Sequence, residues 1–118
     1  MAENLAWSLP EDLAELLRED PETMQSILAT FVEQTRLNLL RVEELAAADD
    51  GAELSRAVHR MKGGLAQMGA GLAADLCKQF EVAIPNETRE QWQRRTGELR
   101  TACETVLLLA GKLLQGLG

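Results

Sequence analysis

The chain has 118 residues and a net charge of −7, with 46% of its residues hydrophobic and 26% charged. This balance is typical of a soluble globular domain and excludes intrinsic disorder, and no apolar run approaches the ~20 residues of a transmembrane helix. The acidic N-terminus lacks the basic segment that opens a secretory signal. We therefore expect one cytoplasmic domain spanning residues 1–118.

The composition also excludes several kinds of site. The two cysteines, Cys77 and Cys103, fall at inward-facing helix positions and are expected to be buried free thiols rather than a disulfide framework. One histidine and two separated cysteines cannot form an ordinary zinc site, so we expect no bound metal. An acidic chain with two Trp, two Phe and no Tyr lacks the clustered bases and stacking side chains that bind nucleic acid.

The apolar residues repeat with the period of a helix throughout the chain. A short helix is predicted from Ser8 to about Leu17. Asp20 followed by Pro21 predicts the N-cap and first residue of a second, long helix. Asp49-Asp50-Gly51 is predicted to break that helix.

Three further helices are predicted after this break. The third has its apolar stripe within residues 54–68, and Gly69-Ala70-Gly71 forms the turn to the fourth, on which Leu72 is expected to face inward. The fourth helix ends before Pro85, and the last covers about residues 87–116. Long amphipathic helices with short connections predict an all-α fold, an antiparallel four-helix bundle with a short extra N-terminal helix.

The only histidine lies in a basic stretch of an otherwise acidic chain. Residues 54–80 carry a net charge of +3, which leaves −10 for the rest of the chain. His59 lies beside the apolar stripe of its helix, and Gly63 and Gly64 follow one turn later. A glycine inside a helix loses ~1 kcal/mol relative to alanine, so the pair needs a reason. Either the helix packs closely or kinks there, or the glycines leave open space over the imidazole for a large partner.

These residues are suited to carrying a phosphoryl group. Imidazole is a nucleophile that can form a covalent intermediate, and Lys62 and Arg56 could stabilise the charge of a phosphate on its ring. The sequence offers no partnered serine or cysteine for a catalytic triad. A solvated helix face without chemistry is the alternative interpretation of the basic stretch.

Residues 57–64, AVHRMKGG, resemble the phosphorylation-site motif His-x-x-Lys-Gly of histidine-containing phosphotransfer (Hpt) domains. The likeness continues in Met68-Gly69-Ala70, similar to the family's Gly-Ala turn, and in residues 77–81, CKQFE, similar to its Cys-x-x-Leu-Glu segment. It covers about residues 20–84 at the level of motifs and the closing helix by architecture. Three positions depart from the family's usual alanine, serine and leucine: Val58, Gly64 and Phe80.

The resemblance implies a role for each matching residue. His59 would accept and donate the phosphoryl group, Lys62 would lie over the phosphate, and Gly63 would admit the partner. Glu81 would hold the imidazole through the other ring N–H, with an exposed helix acid as the alternative. Two more residues are expected to border the same space: Gly64 and Arg56.

The resemblance also implies a phosphoryl carrier of a multistep two-component phosphorelay rather than an enzyme. The phosphoryl group would arrive from an aspartate in the receiver domain of a hybrid sensor kinase and leave for an aspartate of a response regulator. The chain would act as a monomer without a cofactor of its own, because magnesium is expected on the receiver. Trp7, Leu13 and Leu17 are candidates for the apolar rim of a transient docking surface, with core packing as the alternative.

A helical adaptor with an incidental histidine is the rival interpretation. Leu37 and Leu40 lie off the apolar stripe of their helix, and with the run Leu107-Leu108-Leu109 they would then form a permanent protein interface. The two interpretations differ in one observable, since only a phosphotransfer protein gains acid-labile phosphate from a phosphorylated receiver domain.

Overall fold

The computed structural model describes Trp7 and residues 9–117, so the predicted helix start at Ser8 lies outside the described residues. An all-α fold with one short and four long helices is confirmed. Within the described residues, none of the helices is long and apolar enough to cross a membrane. The helices are α1 (Glu11–Glu19), α2 (Pro21–Ala47), α3 (Gly51–Gln67), α4 (Gly71–Ala83) and α5 (Arg89–Leu117), with a 3₁₀ turn (Ile84–Asn86) before α5.

The four long helices form an antiparallel ring around one hydrophobic core. Helix α2 packs on α3 and α5, and α4 packs on the same two helices. Helix α5 runs antiparallel to α2. Arg89 at the start of α5 donates a 3.2 Å hydrogen bond to the carbonyl oxygen of Ala47 at the end of α2. The α3–α4 pair and the α2–α5 pair therefore lie on opposite sides of the bundle.

Cys77 and Cys103 lie in this core as free thiols, as predicted. Burial raises the pKa of each thiol to about 12. A protonated, enclosed thiol is inert, so both residues act as small apolar side chains.

Side-chain caps lie at the start of three of the four long helices, α2, α3 and α5. Asp20 and Asp50 cap α2 and α3, each accepting a 3.2 Å hydrogen bond from the N–H three residues later. At α5, the Thr88 hydroxyl accepts from the Gln91 N–H at 3.2 Å, and the Gln91 side-chain oxygen accepts from the Thr88 N–H at 2.8 Å. This reciprocal cap starts α5 at Arg89, slightly later than predicted.

The predicted inward position of Leu72 is wrong, since its side chain is 50% exposed. Ala73, Cys77 and Phe80 occupy the buried face of α4 at helical spacing. Successive helix residues point about 100° apart, so the residue before Ala73 is turned toward the edge of that face.

The run Leu107-Leu108-Leu109 does not form one surface, for the same geometric reason. Leu107 is buried, Leu108 is 61% exposed, and Leu109 lies between these extremes. The interface that the adaptor interpretation assigned to this run reduces to Leu108 together with the half-exposed Leu37 and Leu40.

Helices α2 and α3 end in the same backbone motif. Asp49 follows α2 with φ 61°, and Gly69 follows α3 with φ 78°. After α2, the Asp49 and Asp50 N–H groups bond back to the Ala46 and Leu45 carbonyls at 3.4 Å and 3.2 Å. Glycine adopts this left-handed conformation without strain, whereas aspartate does not.

Asp49→Gly should therefore raise the free energy of unfolding by about 1 kcal/mol, because it removes Cβ strain and a negative charge at a helix C-terminus. The melting temperature, followed by circular dichroism, should rise by roughly 4 °C. Asp49→Ala removes the charge but keeps a Cβ. An equal gain in both variants would assign the effect to charge and contradict the argument from backbone conformation.

Candidate functional site

The predicted phosphorylation site lies where α3 and α4 face solvent side by side. Val58 and Phe80 are buried in the core, and each directs the next residue of its helix outward. The next residues are His59 near the middle of α3, with a 66% exposed side chain, and Glu81 near the end of α4, with a 25% exposed side chain.

The Glu81 carboxylate joins His59 to Lys62. Its Oε2 lies 2.8 Å from Nδ1 of His59, and its Oε1 accepts a 3.0 Å hydrogen bond from Nζ of Lys62. Burial acts to raise the pKa of Glu81, but the hydrogen bonds from Lys62 and His59 outweigh it and hold this pKa below its ordinary value. An ionised carboxylate only accepts, so in the neutral ring Nδ1 carries the proton and Nε2 keeps its lone pair.

Gly63 and Gly64 face open space beside this site. A Cβ built at either position would meet no neighbouring group within 4 Å among residues 9–117 and Trp7, and α3 continues as an α-helix from Gly51 to Gln67. Close helix packing therefore does not explain the two glycines, which favours an open approach to the imidazole. This role of the glycines stays a prediction.

An open cleft of about 600 Å³ lies beside the imidazole. It extends toward the N-terminal end of α3, away from the two glycines. Its lining includes His59, Ser55, Arg56 and Arg60. Arg56 pairs with Glu53 one turn earlier, so its charge is shared with that carboxylate, and its role toward a phosphate stays a prediction. Ser55 and Arg60 were not among the predicted site residues, although their spacing from the histidine on one helix could have indicated them.

A second hollow, of about 270 Å³, borders the site at Gly64 and lies between α2 and α3. Among the residues that the structure describes, no charged side chain lines it, in contrast to the cleft around His59. Sequence patterns could not reveal it, because it forms only where two helices meet. Its lining includes the apolar and amide side chains of Ile27, Phe31, Gln34, Asn38, Met61 and Gln67.

The three predicted docking residues all pack partly buried against the hydrophobic core. Trp7 reaches the site helix, since its indole N–H donates a 2.8 Å hydrogen bond to the carbonyl oxygen of Met68 at the end of α3. Leu13 and Leu17 belong to α1, which lies against α2. This packing favours the core-packing alternative, and a docking role for these residues stays a prediction.

The chemistry available at this site follows from its arrangement. The exposed imidazole is oriented by a carboxylate, an ammonium group lies beside it, and the approach to the ring is open. Such a group can take up and release an electrophile such as a phosphoryl group. In the part of the chain that the structure describes, no group of three His, Cys, Asp or Glu side chains is placed to hold a metal ion.

Comparison with known proteins agrees with this geometry. The family model described as the Hpt domain matches residues 26–108, the segment that contains His59, Lys62, Gly63 and Glu81. The crystal structure of histidine-containing phosphotransfer protein B (HptB) from Pseudomonas aeruginosa PAO1 is similar, with a TM-score of 0.79 and 25% sequence identity over 91% of this chain and 94% of that chain. No curated protein sequence matches the chain. The resemblance seen in the motifs is thereby confirmed, and the chain belongs to the Hpt domain family.

Proposed function

We propose that this Hpt domain carries a phosphoryl group on His59 in a multistep phosphorelay. It receives the group from an aspartate in the receiver domain of a hybrid sensor kinase and passes it to an aspartate of a response regulator. Family membership supports the phosphocarrier function. The observation that carries the assignment to His59 is its exposed ring, held at Nδ1 by the Glu81 carboxylate.

Transfer to His59 forms one bond and breaks one. The Nε2 lone pair attacks the phosphorus of the aspartyl phosphate, and the bond from phosphorus to the aspartyl oxygen breaks to release the receiver's carboxylate. Because Nδ1 keeps its proton, the ring gains a positive charge, which the Glu81 carboxylate faces at 2.8 Å. No base has to remove a proton from His59 in this step. Transfer to the response regulator is the same exchange in reverse, with a different aspartate.

The two partners divide the work of stabilising the moving phosphoryl group. The receiver supplies magnesium and its own carboxylates, which neutralise charge on the phosphoryl oxygens. This chain supplies the nucleophile, the positive charge of Lys62 and an open face over Gly63 and Gly64. The uncharged hollow between α2 and α3 lies beside that face and is available to the same partner.

Incubation with a radiolabelled, phosphorylated receiver domain tests the proposal. The chain should gain label that is lost in acid and kept in base, as a phosphoramidate is. An adaptor with an incidental histidine would gain none, and that result would contradict the proposal.

Lys62→Ala should slow transfer to His59 or shorten the lifetime of the phosphohistidine. Lys62 Nζ already lies 3.0 Å from the carboxylate that holds the ring. A charge-assisted hydrogen bond to the phosphate is worth about 1.5–3 kcal/mol, which corresponds to an effect of about 10–150-fold. Lys78→Ala, which removes an exposed lysine of α4, is the matched control. Equal transfer rates and lifetimes in both variants would make Lys62 a solvated surface charge.

Glu81→Gln and Glu81→Leu separate orientation of the ring from stabilisation of its charge. Glutamine still accepts a hydrogen bond from Nδ1–H but lacks the negative charge, so it should slow transfer by about tenfold or less. Leucine offers no acceptor and should slow transfer by about 10–100-fold. Both effects are checked by measuring the transfer rate of each variant and the tautomer of His59 by NMR. Unchanged rates in the leucine variant would show that Glu81 does not act on His59.

A further inference from the structure

A second surface feature lies on the side of the bundle away from His59. It is an open groove between α2 and α5 with a volume of about 680 Å³. Two leucines on its walls are unusually accessible for large apolar side chains, at 53% exposed for Leu40 and 61% for Leu108. We call it the α2–α5 groove, and its lining includes Arg36, Leu40, Leu108, Gly111 and Lys112.

The apolar surface continues past this groove along α2. Leu37 is 51% exposed and lines an adjoining hollow together with Leu114 of α5. Arg36 lines both hollows, so they form one strip. Contiguous exposed apolar surface of this kind is typical of sites that bind another protein.

Gly111 lies in the groove without a packing reason to be glycine. A Cβ there would meet no group of the described part of the chain within 4 Å. Glycine in a helix interior is unfavourable by ~1 kcal/mol relative to alanine. What its missing side chain does provide is room inside the groove.

The rim of the groove is positively charged, although the chain has a net charge of −7. Arg36 on α2 and Lys112 on α5 have no ion-pair partner among the described residues. The third base, Arg100, pairs with Glu43 at 2.6 Å and lies 3.6 Å from Glu104, the acid that lines this groove. Glu33 lines only the adjoining hollow. The unmatched charge within the groove is therefore positive on both of its walls.

We propose that the α2–α5 groove binds an acidic amphipathic helix of a partner protein. Such a helix places apolar residues, spaced three or four apart, on Leu40 and Leu108, and its carboxylates meet Arg36 and Lys112. A second copy of this chain fits less well, because two chains that each carry a net charge of −7 repel each other. A symmetric contact between two copies would also place the same two bases against each other. The helix leaves the α3–α4 face free, so one partner can hold the carrier while another exchanges phosphate with His59.

A labelled peptide tests this proposal independently of phosphotransfer. The probe is an amphipathic helix of Glu, Ala and Leu, and its counterpart carries Lys in place of every Glu. Fluorescence anisotropy should show saturable binding of the acidic peptide only. Gly111→Gln fills the groove and should weaken binding by at least about tenfold. Gly97→Gln, at an equally open position of α5 outside the groove, should leave binding unchanged.

Two further variants complete the test. Arg36→Glu with Lys112→Glu should reverse the preference, so that the lysine peptide binds better. Leu40→Gln with Leu108→Gln changes only exposed side chains and should fold and fail to bind. Equal binding of both peptides, equal binding by the Gly111 and Gly97 variants, or no binding at all would overturn the proposal. So would a wild-type dimer that Gly111→Gln converts to monomer, because the groove would then belong to a second copy.

Discussion

His59→Gln should gain no phosphate from a phosphorylated receiver domain and should keep its fold. His59 is the only histidine in the chain, and its 66% exposed side chain contributes nothing to the core. Glutamine can still hydrogen-bond to Glu81, but its amide nitrogen is not a nucleophile. A transfer time course and a thermal melt on the same preparation measure the two properties together.

The melt decides how a loss of transfer is interpreted. A His59→Gln protein with the wild-type melting temperature and no label locates the chemistry at the imidazole. Label remaining on that folded variant would place the phosphorylation site elsewhere in the chain.

Gly63→Gln should be at least as stable as wild type and much poorer at accepting phosphate. Glutamine is a good helix former, and replacing the exposed Gly63 should gain up to about 1 kcal/mol in stability. A Cβ at Gly63 would meet no group of the described residues within 4 Å, so we expect a side chain there to interfere with what approaches from outside. A partner that needs this space loses access to His59.

Two variants separate access from helix stability. Gly63→Ala brings most of the same helical gain with a side chain too short to block a partner, so it should transfer phosphate nearly as well as wild type. Gly97→Gln brings the same side chain to an open position of α5 and should leave transfer unchanged. Normal transfer by the Gly63→Gln protein would show that the glycine does not serve access.

The helices could be predicted because their signals are local. Asp20 with Pro21 marks the start of α2 within two residues, and Asp49-Asp50-Gly51 marks the break between α2 and α3. It was harder to predict whether a side chain at the edge of a buried helix face points into the core or into solvent. The exposed Leu72 directly precedes a buried residue, and the buried Leu107 directly precedes an exposed one. Only the packing of the neighbouring helices determines whether such a side chain is buried or exposed.

The candidate site was predictable in part. His59, Lys62 and Gly63 belong to one helix, so their spacing already places them together. Glu81 lies on another helix, and only the family resemblance, not the spacing, paired it with His59. The ion pair between Arg56 and Glu53 is local and could have been foreseen. The α2–α5 groove could not, because it depends on how two helices distant in sequence pack.

The most direct test of the central claim is to determine which atom of the protein is bonded to the phosphoryl group. The wild-type protein is phosphorylated by a receiver domain, examined by phosphorus and nitrogen NMR, and then mixed with an unphosphorylated receiver. We predict a single phosphoramidate on Nε2 of His59, with Nδ1 still bonded to Glu81, that disappears as the receiver's aspartate gains the phosphate. Phosphate on Nδ1 of His59 or on another residue would contradict the account. So would phosphate on His59 that is not transferred back to a receiver.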